Sequence, residues 1–66
     1  MNKYIIRQYG RILFVQSFDK EETIFTTRRE KAKEFTDEDD VRNIIVYLKI
    51  KYNIIFDSQT IYPKTV

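Results

Sequence analysis

Sixty-six residues with a formal net charge of +2, no cysteine and no histidine leave room for one small domain. They exclude disulfide staples and nearly all zinc chemistry. The usual nucleophile–base pairs need Cys or His, and the single glycine cannot build a phosphate-cradling loop, so neither enzymatic activity nor a cofactor is expected.

A domain of this size buries only about 60% of the surface its unfolded chain exposes, and one core rarely contributes more than ~3–5 kcal/mol. Good packing or self-association has to make up the difference, and an aromatic content of 15% suits either. The start, Met1-Asn-Lys-Tyr-Ile-Ile-Arg7, lacks the apolar core of a secretory signal. The longest strictly apolar run, Ile44 to Leu48, is far short of the ~20 residues of a membrane span. Together with the lack of cysteine, this leads us to expect a soluble cytoplasmic protein that does not engage a membrane.

Tyr4 to Phe18 reads as a β-hairpin, with aromatic and branched residues on both sides of Gly10. A two-residue turn at Tyr9-Gly10 or Gly10-Arg11 would use the positive φ that glycine accepts. Either register sorts the faces alike. Ile5, Arg7, Tyr9, Ile12, Phe14, Gln16 and Phe18 share one face; Tyr4, Ile6, Gln8, Arg11, Leu13, Val15 and Ser17 share the other. Both faces are apolar enough to need cover, and one helix covers only one of them.

Asp19-Lys-Glu-Glu22 is a polar turn, and Thr23-Ile-Phe-Thr-Thr27 a short third strand, antiparallel because the connections are too short for a parallel crossover. Arg28 to Phe35 is a charged connector in which Ala32 and Phe35 suit one docked helical turn. Thr36 then offers an N-cap, with Asp39 as an acidic capping-box partner. Asp37, Glu38, Asp39 and Asp40 fall where the helix dipole favours anions, and Lys49 and Lys51 where it favours cations. Val41, Ile44, Ile45, Leu48 and Tyr52 form the core stripe of an amphipathic helix ending near Asn53. A last strand is read from Ile54 to Tyr62, and 63–66 is a flexible tail after Pro63. The expectation is a single α+β domain over 1–66, in the order β-β-β-α-β. An antiparallel sheet of three to four strands packs on one helix.

Charge is uneven along the chain. Residues 1–18 carry three basic and no acidic side chains, 19–40 five basic and nine acidic, and 41–66 four basic and one acidic. Such polarity can steer a charged partner or simply solvate ordinary faces. Two candidate surfaces follow. With the core stripe centred on Leu48, Val46 and Ile50 point away from it at about 100° per residue, flanked by Asn43 and Tyr47. A surface helix usually carries charge there, so these four residues, with the acidic Asp37, Glu38 and Asp40, are the candidate partner-binding set. The alternative is nucleic acid held by Arg7, Tyr9 and Arg11 at the hairpin tip with Arg28 and Arg29 after strand three. Glu30 and Glu34 interrupt that basic run. A homodimer closed through the second sheet face or a strand edge is a third arrangement.

Tyr4-Ile5-Ile6-Arg7, Ala32-Lys33-Glu34-Phe35 and Thr36-Asp37-Glu38, followed by the helix Val41 to Tyr52, resemble a pattern in short proteins of phages and prophages of low-GC Gram-positive bacteria. The resemblance implies no catalytic residues. It implies a non-enzymatic protein that binds a host protein, such as a polymerase, nuclease or defence component, and inhibits or diverts it.

Overall fold

Branched and aromatic residues on either side of Gly10 form the first two strands. The computed structural model describes residues 2–19 and 21–61. It contains β1 (Lys3–Gln8), β2 (Phe14–Phe18), β3 (Thr23–Thr26), a 3-10 turn (Arg29–Lys31), α1 (Glu38–Tyr52) and β4 (Phe56–Ile61). The four strands make one antiparallel sheet in the order β3-β2-β1-β4, so the chain is an α+β domain. The tail expected from Pro63, and Tyr62 of the last strand, lie outside the described residues.

The hairpin is wider at its tip than a two-residue turn. The Arg7↔Phe14 register is the one a Gly10-Arg11 turn would set, but the strands stop at Gln8 and Phe14. The Arg11 N–H donates to the Gln8 carbonyl at 3.2 Å and the Gln8 N–H to the Leu13 carbonyl at 2.7 Å. Gly10 sits in the third position of the resulting β-turn with φ 75°, a conformation that side-chain-bearing residues disfavour. The Arg11 carbonyl accepts from Arg7 Nε at 3.0 Å.

A second departure lies in β2. Its register against β3 shifts between Val15 and Ser17, so Gln16 is the extra residue of a β-bulge. The bulge reverses the alternation beyond it. Phe18, expected on the face of Ile5 and Phe14, turns instead towards α1, where its ring meets Tyr47 edge-on at 5.5 Å. The bulge also ends the ladder between β1 and β2, and the connector fills the gap. Lys33 donates its N–H to the Val15 carbonyl at 2.9 Å, while Tyr4 and Phe35 exchange both backbone bonds at 2.7 Å. Reaching that gap from β3 takes the connector across β2. The helical turn expected over Ala32 and Phe35 is therefore displaced to Arg29–Lys31, and Phe35 lies in extended chain.

The core joins Ile6, Val15, Phe35 and Phe56 to Val41, Ile44 and Leu48 of α1, with Ile45 packed at its side. Phe25 of β3 stacks on Phe56 of β4 at 5.6 Å between ring centroids, although these are the two outermost strands. In a flat sheet their backbones would stand roughly 14 Å apart. The sheet is thus curled around the core until aromatic side chains of its two edges touch, and Tyr52 packs edge-on to Phe25 at 5.9 Å. Ile5 and Phe14 are also buried, outside this cluster and on the opposite sheet face by register. The second face, expected to be partly exposed or covered by a second chain, therefore already has two central residues, Ile5 and Phe14, buried within the one chain.

The helix begins one residue later than Thr36 suggests. Asp37 is extended, and its carboxylate accepts the Asp39 N–H at 2.9 Å, which makes Asp37 the N-cap. Asn53 closes α1 in the left-handed conformation (φ 57°), its N–H bonded to the Lys49 carbonyl at 2.9 Å. Asp37→Ala is expected to cost about 1 kcal/mol, a fall of about 4–8 °C in Tm. Thr36→Ala should stay within about 0.5 kcal/mol. Thermal melts of the two variants check the assignment, and a larger loss at Thr36 would return the cap to that residue.

Candidate functional site

The bulge that turns Phe18 inward and the connector that carries Phe35 into the gap leave a concavity beside α1. Phe18, Lys33, Phe35, Asp40, Asn43, Ile44 and Tyr47 line a groove of about 500 Å³. That is within the range of ligand sites, which are mostly apolar with a few placed polar groups. Here the walls are three aromatic rings and Ile44. The Lys33 ammonium lies 5.6 Å above the Phe35 ring, and Asp40 and Asn43 stand on the helix side.

Of the residues selected from sequence, Asp40, Asn43 and Tyr47 are brought together on this wall. Val46 and Ile50 stand outside it on the solvent side of α1, 53% and 80% exposed. Helical spacing places Asn43 between the groove and that outer ridge. Tyr47 is only half-exposed, since its ring packs on Phe18, so it belongs to the groove and not to the ridge. Asp37 is occupied as the cap, and Glu38 pairs with Arg42 one turn on at 3.6 Å, an exposed pair of small energetic value. Phe18, Lys33 and Phe35 carry no local mark in the sequence that assigns them to a site. They arrive through the bulge and the crossing of the connector.

The basic candidates gather at the hairpin end of the sheet. Tyr9 is 70% exposed, and Arg7 and Arg11 line a shallow depression of about 710 Å³ around Gly10. Arg28 follows Thr26, which pairs with Phe14 at the same end of β2, and both Arg28 and Arg29 are exposed. Among the described residues none of these four arginines forms a salt bridge.

At the far end of α1 the Lys51 ammonium sits 5.6 Å from the Tyr47 ring and 5.4 Å from that of Tyr52. Partial desolvation pulls its pKa down, but hydrogen bonding and charge interaction with Tyr47 and then Tyr52 outweigh it, and the value lies above that of an ordinary lysine. A raised folded-state pKa contributes stability that is present below the ordinary lysine range and is lost as pH rises through the higher folded-state value. Lys51 therefore remains a cation at neutral pH, in the last turn where the helix dipole favours one.

Among the described residues no helix is long and apolar enough to cross a membrane. No known protein family, curated protein or solved structure matches the chain.

Proposed function

We propose that this chain is a non-enzymatic module that binds another protein across the outer side of α1. The observation that carries the reading is the exposure of Val46 and Ile50, two branched apolar side chains where folding requires none. A partner crossing there buries the ridge and reaches over Asn43 into the aromatic groove. The chemistry of the groove selects the occupant: an apolar or aromatic side chain for the walls of Phe18, Phe35 and Tyr47, with a basic neighbour for Asp40. Glu38, Asp39 and Asp40 crowd this end of the helix, and Lys33, the one cation among the described residues that line the groove, is drawn over Phe35. On the resemblance to small phage and prophage proteins, the partner is a host polymerase, nuclease or defence component in the cytoplasm, inhibited or diverted by stoichiometric binding.

The test is a paired capture from bacterial lysate with the native chain and a Val46→Lys, Ile50→Lys variant. Lysine keeps helix propensity, suits the C-terminal half of α1, and sits where exposure makes the substitution nearly neutral for folding. The native chain should retain one protein in stoichiometric amount. The variant should bind it at least about tenfold more weakly, since two apolar anchors at an interface centre are lost. Equal retention by both chains removes α1 as the site.

A second reading rests on the exposed Tyr9 and on arginines that form no salt bridge among the described residues: stacking of a single-stranded nucleic acid on Tyr9 with Arg7, Arg11, Arg28 and Arg29 on its phosphates. Fluorescence anisotropy with labelled oligonucleotides would show affinity that falls steeply with salt. Absence of binding at low salt rejects it.

A further inference from the structure

The two edges of the sheet are protected very unequally. The β3 edge is four residues long and lies against the bulged strand, both of which deter strand pairing. The β4 edge runs six residues, pairs with β1 at all six positions without interruption, and carries no Lys, Pro or bulge. Asp57, Ser58, Gln59 and Thr60 are all exposed, β4 is the end strand of the sheet, and among the described residues it pairs with no segment but β1. Its free N–H and C=O groups fit only another extended chain.

We propose that the β4 edge pairs antiparallel with the β4 edge of a second copy of this chain, about a two-fold axis through Ser58. An axis perpendicular to the sheet keeps like faces together, so residues of equal parity must be opposed, and the centre must fall on a residue. Centring on Ser58 places Asp57 opposite Gln59 of the second copy, so the only charge on the strand avoids its own image. It also places Ile55, 59% exposed, opposite Ile61 of the second copy. The bond from the Tyr9 N–H to the Ile55 carbonyl at 2.9 Å extends the β1–β4 register to that residue, which fixes its place in the ladder. Centring one residue later would set Asp57 against Ile61 and leave Ile55 opposite position 63, a proline. Charge and apolar complementarity therefore choose the Ser58 register. The resulting eight-stranded sheet removes the unguarded edge.

Cysteine cross-linking tests both the dimer and its register, because the native chain contains no cysteine. Opposed Cα atoms in an antiparallel pair lie about 4.5–5.5 Å apart, within the ~4.4–6.8 Å a disulfide spans. Ser58→Cys should thus give a disulfide-linked dimer under mild oxidation. Asp57→Cys should not, since its two copies are offset by two residues and stand roughly 8 Å apart. Sedimentation equilibrium should show the native chain dimeric at high micromolar concentration. Ser58→Lys, which brings two cations together on the axis, should weaken that dimer at least about tenfold with an unchanged far-UV CD spectrum. A native chain that stays monomeric, a Ser58→Cys chain that links no faster than Asp57→Cys, or a Ser58→Lys chain that dimerises like the native one would each overturn the proposal.

Discussion

Phe56→Ala is expected to unfold the domain at 25 °C. Phe56 is almost fully buried, belongs to the central cluster, and is the residue through which β4 reaches Phe25 on the opposite edge of the curled sheet. Truncating a buried phenylalanine costs about 3–5 kcal/mol through lost transfer energy and the cavity left behind. The stacked pair adds about 0.5–1.5 kcal/mol beyond its buried area. A single small core contributes only ~3–5 kcal/mol in total, so the loss equals or exceeds the stability available. Urea titration followed by far-UV CD should show a cooperative transition for the native chain and none for the variant. Ile50→Ala, at a position 80% exposed, should move the midpoint hardly at all. A Phe56→Ala chain within about 1 kcal/mol of the native one would mean that the sheet holds its curl without the aromatic closure.

Phe35→Ala is the second large effect, and it separates folding from binding. The ring is buried in the core, walls the groove and lies beneath the Lys33 ammonium, while its backbone bridges to Tyr4. Loss of the ring should again cost about 3–5 kcal/mol. The connector then loses the side chain that anchors it between β1 and β2. Phe35→Leu keeps an apolar side chain of similar bulk and should cost less than about 1.5 kcal/mol. It removes the aromatic wall and the cation–π contact, so a partner captured by the native chain should bind the folded leucine variant more weakly. Thermal melts and the same paired capture read the two effects separately. Full binding by Phe35→Leu would confine the interface to the Val46 and Ile50 ridge.

Sequence reasoning reached the features that are set locally. α1 announces itself by a 3.6-residue period through Val41, Ile44 and Leu48, and Asn53 stops it because it tolerates the left-handed conformation. The strands around Gly10 follow from the same kind of short-range pattern. The N-cap moved from Thr36 to Asp37 because both are good caps and the choice depends on where the connector delivers the chain. What stayed hidden is set between distant residues. Gln16 has nothing in its neighbourhood to mark a bulge, yet the bulge decides that Phe18 faces the helix. The pairing of Phe35 with Tyr4 joins residues that have β2, β3 and the 3-10 turn between them in sequence, and without it the groove has no floor. Asp40, Asn43 and Tyr47 could be selected from helical geometry alone; the other half of their site could not.

The long β1–β4 ladder also bears on how the protein is made. β1 is synthesised before the other described strands, yet it shares six register positions with β4 and only one with β2. Its main partner is the last described element of the chain, so the contacts that hold it are almost entirely non-local, which slows folding. A nascent chain lacking Phe56–Ile61 has the helix signal and the hairpin but neither the ladder nor the aromatic closure. Folding of this domain therefore waits until β4 has been synthesised. Until then the apolar strands around Gly10 stand exposed to chaperones and proteases.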